Sequence, residues 1–203
     1  MKLRNSRKKN IVRFIIVVVI ILVAVLLIMH SQDHKPKQPV ARTKGATPAQ
    51  TAIAPSGIEY PSSWTEASQM STTDERAGVI SEAAQESTST TVIVRKVAEE
   101  LPKDFNINTL PSQIVASLTK GVGGFHLISD NVIQVQSYNT IQIDYTSTGN
   151  ANKTLMNEMY IIPTQTNTFY ITYTNSKGLI SESQSDITNI NTSIATYIKT
   201  HSY

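Results

Sequence analysis

The hydrophobic pattern divides the chain into three stretches with different periods. Phe14 to Met29 reads FIIVVVIILVAVLLIM, apolar at every position, and Ile11 and Val12 extend the run past Arg13. Roughly 19 apolar residues at 1.5 Å rise each match a bilayer's hydrocarbon core of about 30 Å. From His30 to Ser56 periodicity vanishes: Pro36, Pro39, Pro48 and Pro55 recur and aromatics are missing. From Gly57 onward, short alternating runs and two helical stripes follow. Ile58-Glu59-Tyr60 alternates and is stopped by Pro61, which predicts a short strand ending in a turn. Ala77 to Ala83 and Thr90 to Val97 read as strands, the second rich in β-branched residues. Leu110 to Lys120 reads as a helix, with Pro111 in its first turn, Ile114, Val115 and Leu118 as its stripe, and Gly121 ending it.

The second half is plainer. Val132 to Tyr138 and Ile141 to Ser147 flank Asn139-Thr140, which predicts a tight hairpin. In the second run Ile141, Ile143 and Tyr145 mark one face, and Gln142, Asp144 and Thr146 the other. Thr154 to Ile162 stops at Pro163. After a turn at Gln165-Thr166-Asn167, Thr168 to Thr174 alternates again until Gly178. Ile187, Ile190, Ile194 and Tyr197 form a one-sided stripe, the sign of a C-terminal helix. Hairpin-linked strands with few long crossovers predict an α+β domain, an antiparallel sheet flanked by helices.

Charge sets the orientation. Six basic residues precede Phe14, while four are spread between His30 and Pro55. The positive-inside rule keeps residues 1–10 cytoplasmic, runs a membrane helix over 11–29, and exports the rest. A cleaved signal peptide shares the basic start, but its apolar stretch is shorter and ends in a small-x-small site, which Leu-Ile-Met-His-Ser does not supply. A type IV pilin start is rejected as well, for want of a Gly before the helix and a Glu near its beginning. Residues 30–56 read as a flexible spacer, too polar and proline-rich to bury a core. The expected folded domain is 57–203.

Up to Pro55, ten basic residues face Asp33 alone, a net of +9; from Ser56 onward, eight basic residues face fourteen acidic ones, a net of −6. The overall +3 therefore belongs to the tail and spacer. A mildly acidic domain does not concentrate around phosphate backbones, which excludes nucleic acid as its partner. There is no cysteine, so disulfides, thiol catalysis, Cys-ligated metals and a lipid-modified Cys are all excluded.

No catalytic constellation emerges. His126 follows Gly121-Val-Gly123-Gly124 without a nucleophile elbow, and His201 is third from the end. That glycine run lacks the spacing of a phosphate-binding loop. Asp74-Glu75 and Glu99-Glu100 are adjacent in sequence, so their side chains diverge rather than pair for hydrolysis. His30, Asp33 and His34 have no further ligands beside them, and read as a juxtamembrane flank rather than a metal site. Asn152-Lys-Thr154 and Asn191-Thr-Ser193 match glycosylation sequons, which matter only in a eukaryotic secretory pathway. No cofactor is expected.

Gly57-Ile58-Glu59-Tyr60-Pro61-Ser62-Ser63-Trp64 resembles the hydrophobic-x-Tyr-Pro-x-x-Trp opening of the PsbP/Mog1-like fold group. The likeness continues through the helix after Leu110, the strand pair over 132–147, Met159-Tyr160, Phe169 to Tyr173 and the closing helix, and spans about 58–200. The resemblance implies a binding or assembly module rather than an enzyme. Tyr60 and Trp64 read first as a core corner around Pro61; they are also the candidate ligand or partner surface. The expectation is a non-enzymatic, membrane-anchored module at the outer face of the cytoplasmic membrane, binding an envelope protein or other envelope component. A lipid or small-molecule carrier, with a pocket between sheet and helix near Tyr60 and Trp64, is the alternative. An enzyme stands third.

Overall fold

The computed structural model describes residues 56–67, 77–99, 101, 105–178 and 184–201. The predicted cytoplasmic tail, the membrane helix and the spacer up to Pro55 lie outside the described residues, as do Asp74, Glu75 and Glu100. Among the described residues, no helix is long and apolar enough to cross a membrane.

The described chain folds as one antiparallel sheet between two helices. Its strands are β1 (Thr65–Glu66), β2 (Val79–Gln85), β3 (Thr90–Ala98), β4 (His126–Val135), β5 (Tyr138–Thr148), β6 (Thr154–Pro163) and β7 (Asn167–Asn175). They lie in the order β1-β2-β3-β7-β6-β5-β4, and every neighbouring pair is antiparallel. Helix α1 (Leu110–Gly121) precedes β4 and helix α2 (Gln184–His201) follows β7. The α+β class read from the pattern is the one observed.

Alternation within each strand separates two cores. Ile141, Ile143 and Tyr145 of β5 join Met159, Ile161 and Tyr170 beneath Ile114 and Leu118 of α1. On the opposite face Val92, Val94, Tyr160, Ile162, Phe169, Ile171 and Tyr173 meet Ile187, Ile190, Ile194 and Ile198 of α2, with Ile58, Tyr60 and Trp64 filling the corner. Strands β6 and β7 run through the middle, covered on both faces, and are buried along most of their length.

Three local expectations are corrected. Ile58 to Tyr60 is not a strand: Glu59 makes a single bridge, and the paired segment is Thr65–Glu66, after the turn that Pro61 sets. There the Trp64 amide donates to the Pro61 carbonyl at 2.9 Å. The hairpin does not turn at Asn139-Thr140 but at Gln136-Ser137, because Val135 faces Tyr138 and Ile133 faces Thr140. This register lays Ile133, Val135 and Tyr138 against the α2-side core, and buries Thr140 completely. Core packing outweighs the weak Asn-Thr turn signal, and Gln136 accepts a φ of +57° as a result. Strand β4 also begins earlier than predicted, at His126.

Candidate functional site

Three places in the domain gather chemistry: the corner at Tyr60 and Trp64, a carboxylate network on the α2 side of the sheet, and the outer edge of β4.

At the corner, Pro61 turns the chain so that Tyr60 and Trp64 enter the core, each with about 6% of its surface exposed. One carboxylate oxygen, Oδ2 of Asp186 in the first turn of α2, accepts from Trp64 Nε1 at 3.0 Å, Ser63 Oγ at 3.0 Å and Gln85 Nε2 at 3.1 Å. The helix N-terminus favours a negative charge there. Tyr60 donates to Ser81 Oγ at 2.7 Å, and Ser81 donates in turn to Glu66 Oε1 at 2.8 Å. Burial raises the pKa of Glu66 above the ordinary carboxylate range, opposed by the hydroxyls of Ser81 and Ser56. Trp64 and Tyr160 each meet Tyr173 edge to face, at 6.4 and 6.0 Å between ring centroids. The space between sheet and helix at this corner is thus filled by aromatic rings. Outside it runs an open groove of about 410 Å³, lined by Glu59, Tyr60, Pro61, Ser193, Thr196 and Tyr197 among others. Its hydroxyls are partly engaged: Ser193 Oγ accepts from the Glu59 amide at 2.7 Å, and Thr196 donates to the Thr192 carbonyl at 3.0 Å.

The carboxylate network was not found from sequence. Asp144 on β5 lies directly opposite Glu158 on β6, fourteen positions away, whereas the acid pairs weighed in the sequence were adjacent ones. The clue available was the polar face of β5. Gln142 Nε2 reaches Glu158 Oε1 at 2.9 Å and Asp144 Oδ1 at 3.2 Å; Ser129 Oγ donates to Asp144 Oδ2 at 2.6 Å; Tyr160 donates to Glu158 Oε1. Burial, and then the neighbouring Asp144 charge, raise the pKa of Glu158, while the bond from Tyr160 works against them. The donors come from three strands and, through Gln184 at Glu158, from α2, so the network is a tied structural cluster. Among the described residues no group of three His, Cys, Asp or Glu side chains is placed to hold a metal ion.

The remaining sequence candidates are spread apart. His126 is exposed at the start of β4, opposite Thr146. His201 is exposed at the end of α2 and stacks on Tyr197 at 4.2 Å. Glu99 is carried toward the neutral form by burial. Gly124 (φ +62°) packs so closely that an added Cβ would lie 2.0 Å from Thr148 Oγ1, which makes the glycine run a tight structural crossing. Asn191 is buried and accepts from the Tyr173 hydroxyl at 2.8 Å, so the folded domain keeps that sequon closed.

The third place is an edge. Strand β4 pairs with β5 on one side only, and among the described residues no strand joins its other side. It is ten residues long and mostly exposed, and it carries Ile128 and Val132, exposed by 52% and 38%. A register shift between Leu127 and Ser129 sets Ile128 in a bulge. Past that bulge the strand has neither Lys nor Pro, the residues that usually block such an edge, and its one charge is Asp130.

No protein-family model matches the sequence, and no curated protein matches it. Solved structures do show similarity. The Ran-binding protein Mog1p of Saccharomyces cerevisiae is 12% identical with a TM-score of 0.41, over 70% of this chain and 84% of that one. Cyanobacterial PsbP (CyanoP) from Synechocystis sp. PCC 6803 is 12% identical with a TM-score of 0.41, over 69% and 83%. LpqN of Mycobacterium tuberculosis, involved in cell envelope biogenesis, is 16% identical with a TM-score of 0.37, over 66% and 77%. These are similarities at low sequence identity, and both a Mog1 and a PsbP structure are among them.

Proposed function

We propose that this chain is a membrane-anchored extracytoplasmic protein whose domain acts by binding other macromolecules, with no chemistry of its own. The observation that carries the reading is the outer edge of β4. A strand presents unpaired backbone donors and acceptors along its free side, and an added strand satisfies them while side-chain contacts give selectivity. Elsewhere the carboxylates of Asp186, Glu66 and Glu158 are each tied to neighbouring protein donors. The apolar run over 11–29 and the basic residues before it support a single membrane helix with the N-terminus in the cytoplasm. The proline-rich stretch over 30–56 supports a spacer that lets the domain stand off the bilayer.

Two experiments test the parts separately. Protease added to intact cells is expected to remove the domain and leave a short membrane-held fragment; a domain that is spared until the cells are lysed overturns the topology. A photo-crosslinking side chain placed at 132 in the full chain is expected to give a discrete adduct in membranes, whereas one on the far edge, at 66, gives none. Turnover of a small substrate by the full chain, with no adduct at 132, overturns the binding reading.

The carrier alternative is served by a different place, the groove outside Tyr60. Its volume falls within the range of ligand pockets, but it is open, and part of its lining is occupied by helix-internal hydrogen bonds. Native mass spectrometry of the full chain in detergent tests it, with a retained ligand as the favourable result.

A further inference from the structure

The outward-bonding positions of β4 form a short run with its own midpoint. Hairpin closure at Val135 and Tyr138 around a two-residue loop makes that pair a hydrogen-bonded one. Counting back, Ile133, Asn131 and Ser129 turn their amides and carbonyls toward β5. Gln134, Val132 and Asp130 turn theirs outward. The bulge between Leu127 and Ser129 ends the regular ladder on one side, and the loop at Gln136 ends it on the other. Val132 is therefore the midpoint of a three-residue outward-bonding run, and is itself an exposed apolar residue.

We infer that the outer edge of β4 pairs with the same edge of a second copy of this chain, antiparallel about a two-fold axis at Val132, which joins two sheets into one. This deepens the reading of β4 as the docking edge and rests on it. In this register Val132 meets Val132 across the axis, Asp130 meets Gln134, and Asn131 meets Ile133. The run's single charge thus lies opposite a neutral amide. Shifting the axis to Asp130 would set two carboxylates face to face, which is unfavourable, and would run the ladder into the bulge. A self-complementary run that is centred, bounded at both ends and free of like-charge contact fits an isologous interface. A contact of this size is below what a stable dimer in solution buries, and two chains held in the same membrane meet at a far higher effective concentration.

The sequence contains no cysteine, so Val132→Cys introduces a unique thiol. In membranes holding the full chain, oxidation of this variant is expected to give a disulfide-linked species of twice the 22.3 kDa chain mass, while Ser137→Cys on the hairpin loop does not. Adding Gln134→Asp, which places two carboxylates opposite each other at both ends of the run, is expected to reduce the dimer several-fold; adding Gln134→Lys is expected to raise it. A benzophenone maleimide on the same thiol reports whatever lies beside position 132. Adducts to a different polypeptide overturn the self-pairing and leave the docking edge standing. Adducts to nothing overturn both.

Discussion

The two ends of the sheet are built on opposite plans. At one end, β1 is two residues long, and the segment leading into it is locked by buried rings and by three donors on a single Asp186 oxygen. At the other, β4 runs for ten residues with an exposed Ile128 and Val132 and no lysine or proline beyond its bulge. Both ends face the same hazard, since unpaired strand edges recruit other strands. Among the described residues the β1 end is shortened to two positions, while β4 has only the bulge at Ile128 and the charge of Asp130 to blunt it. A domain that clamps one edge and leaves the other long has a polarity: the clamped end is where the described chain begins, at residue 56, and the β4 end is the one that no described strand covers.

If the β1 end is a structural clamp, breaking it should be expensive. Trp64→Ala deletes a buried indole that packs on Tyr173 and is expected to destabilise the domain by about 3–5 kcal/mol, read from denaturant midpoints at constant m-value. A loss below about 1 kcal/mol would mean that the corner is not part of the core. Asp186→Ala comes next. It strands the buried Trp64 N–H and two further donors, with an expected loss of about 1–3 kcal/mol. Asp186→Asn keeps an acceptor oxygen and should recover part of it.

Between the two ends lies the Asp144–Glu158 pair. In the folded state the Glu158 carboxyl holds its proton more readily than in the unfolded chain. The folded state then binds more protons, so this group's contribution is greatest below the unfolded pKa, roughly 4.3, and is lost as pH rises through the folded pKa. Glu158→Gln keeps an oxygen for Gln142 and Tyr160 but cannot ionise. It is expected to stabilise the domain at neutral pH, with the advantage over the parent shrinking to nothing near pH 4. An equal effect at both pH values would show that charge is not the cause.

Legibility in the sequence followed the same division. Positions fixed by periodicity were read well: the Ile141, Ile143 and Tyr145 face, the Ile187, Ile190 and Ile194 stripe, and the helix opened by Pro111. Their burial is decided by spacing along one segment. The Tyr60-Pro61 and Trp64 motif was legible as a corner, though its strand was placed too early, because the Pro61 turn and not the preceding alternation sets where pairing starts. What could not be read depends on register between strands. The opposition of Asp144 and Glu158, and the turn at Gln136 rather than Asn139, come from which residues face each other across the sheet. Asp186's role was hidden for a similar reason, since its donors come from positions 63, 64 and 85. The free edge is a property of strand order, which local patterns leave open.

The smallest expected effect on stability tests the open end most sharply. Asn131 and Val132 are neighbours on β4 and both exposed, but antiparallel alternation turns the Asn131 amide toward β5 and the Val132 amide outward. Proline removes the donor in either place. Asn131→Pro breaks an internal ladder bond and is expected to cost about 1–3 kcal/mol. Val132→Pro breaks none, because an outward N–H is where an edge strand tolerates proline, and its expected cost is about 1 kcal/mol or less. The second variant should nevertheless abolish the contact made by the edge, so stability and association separate at adjacent residues. Equal losses of stability from the two would mean that the outward run is miscounted, and the register that places Val132 at the centre of a contact would go with it.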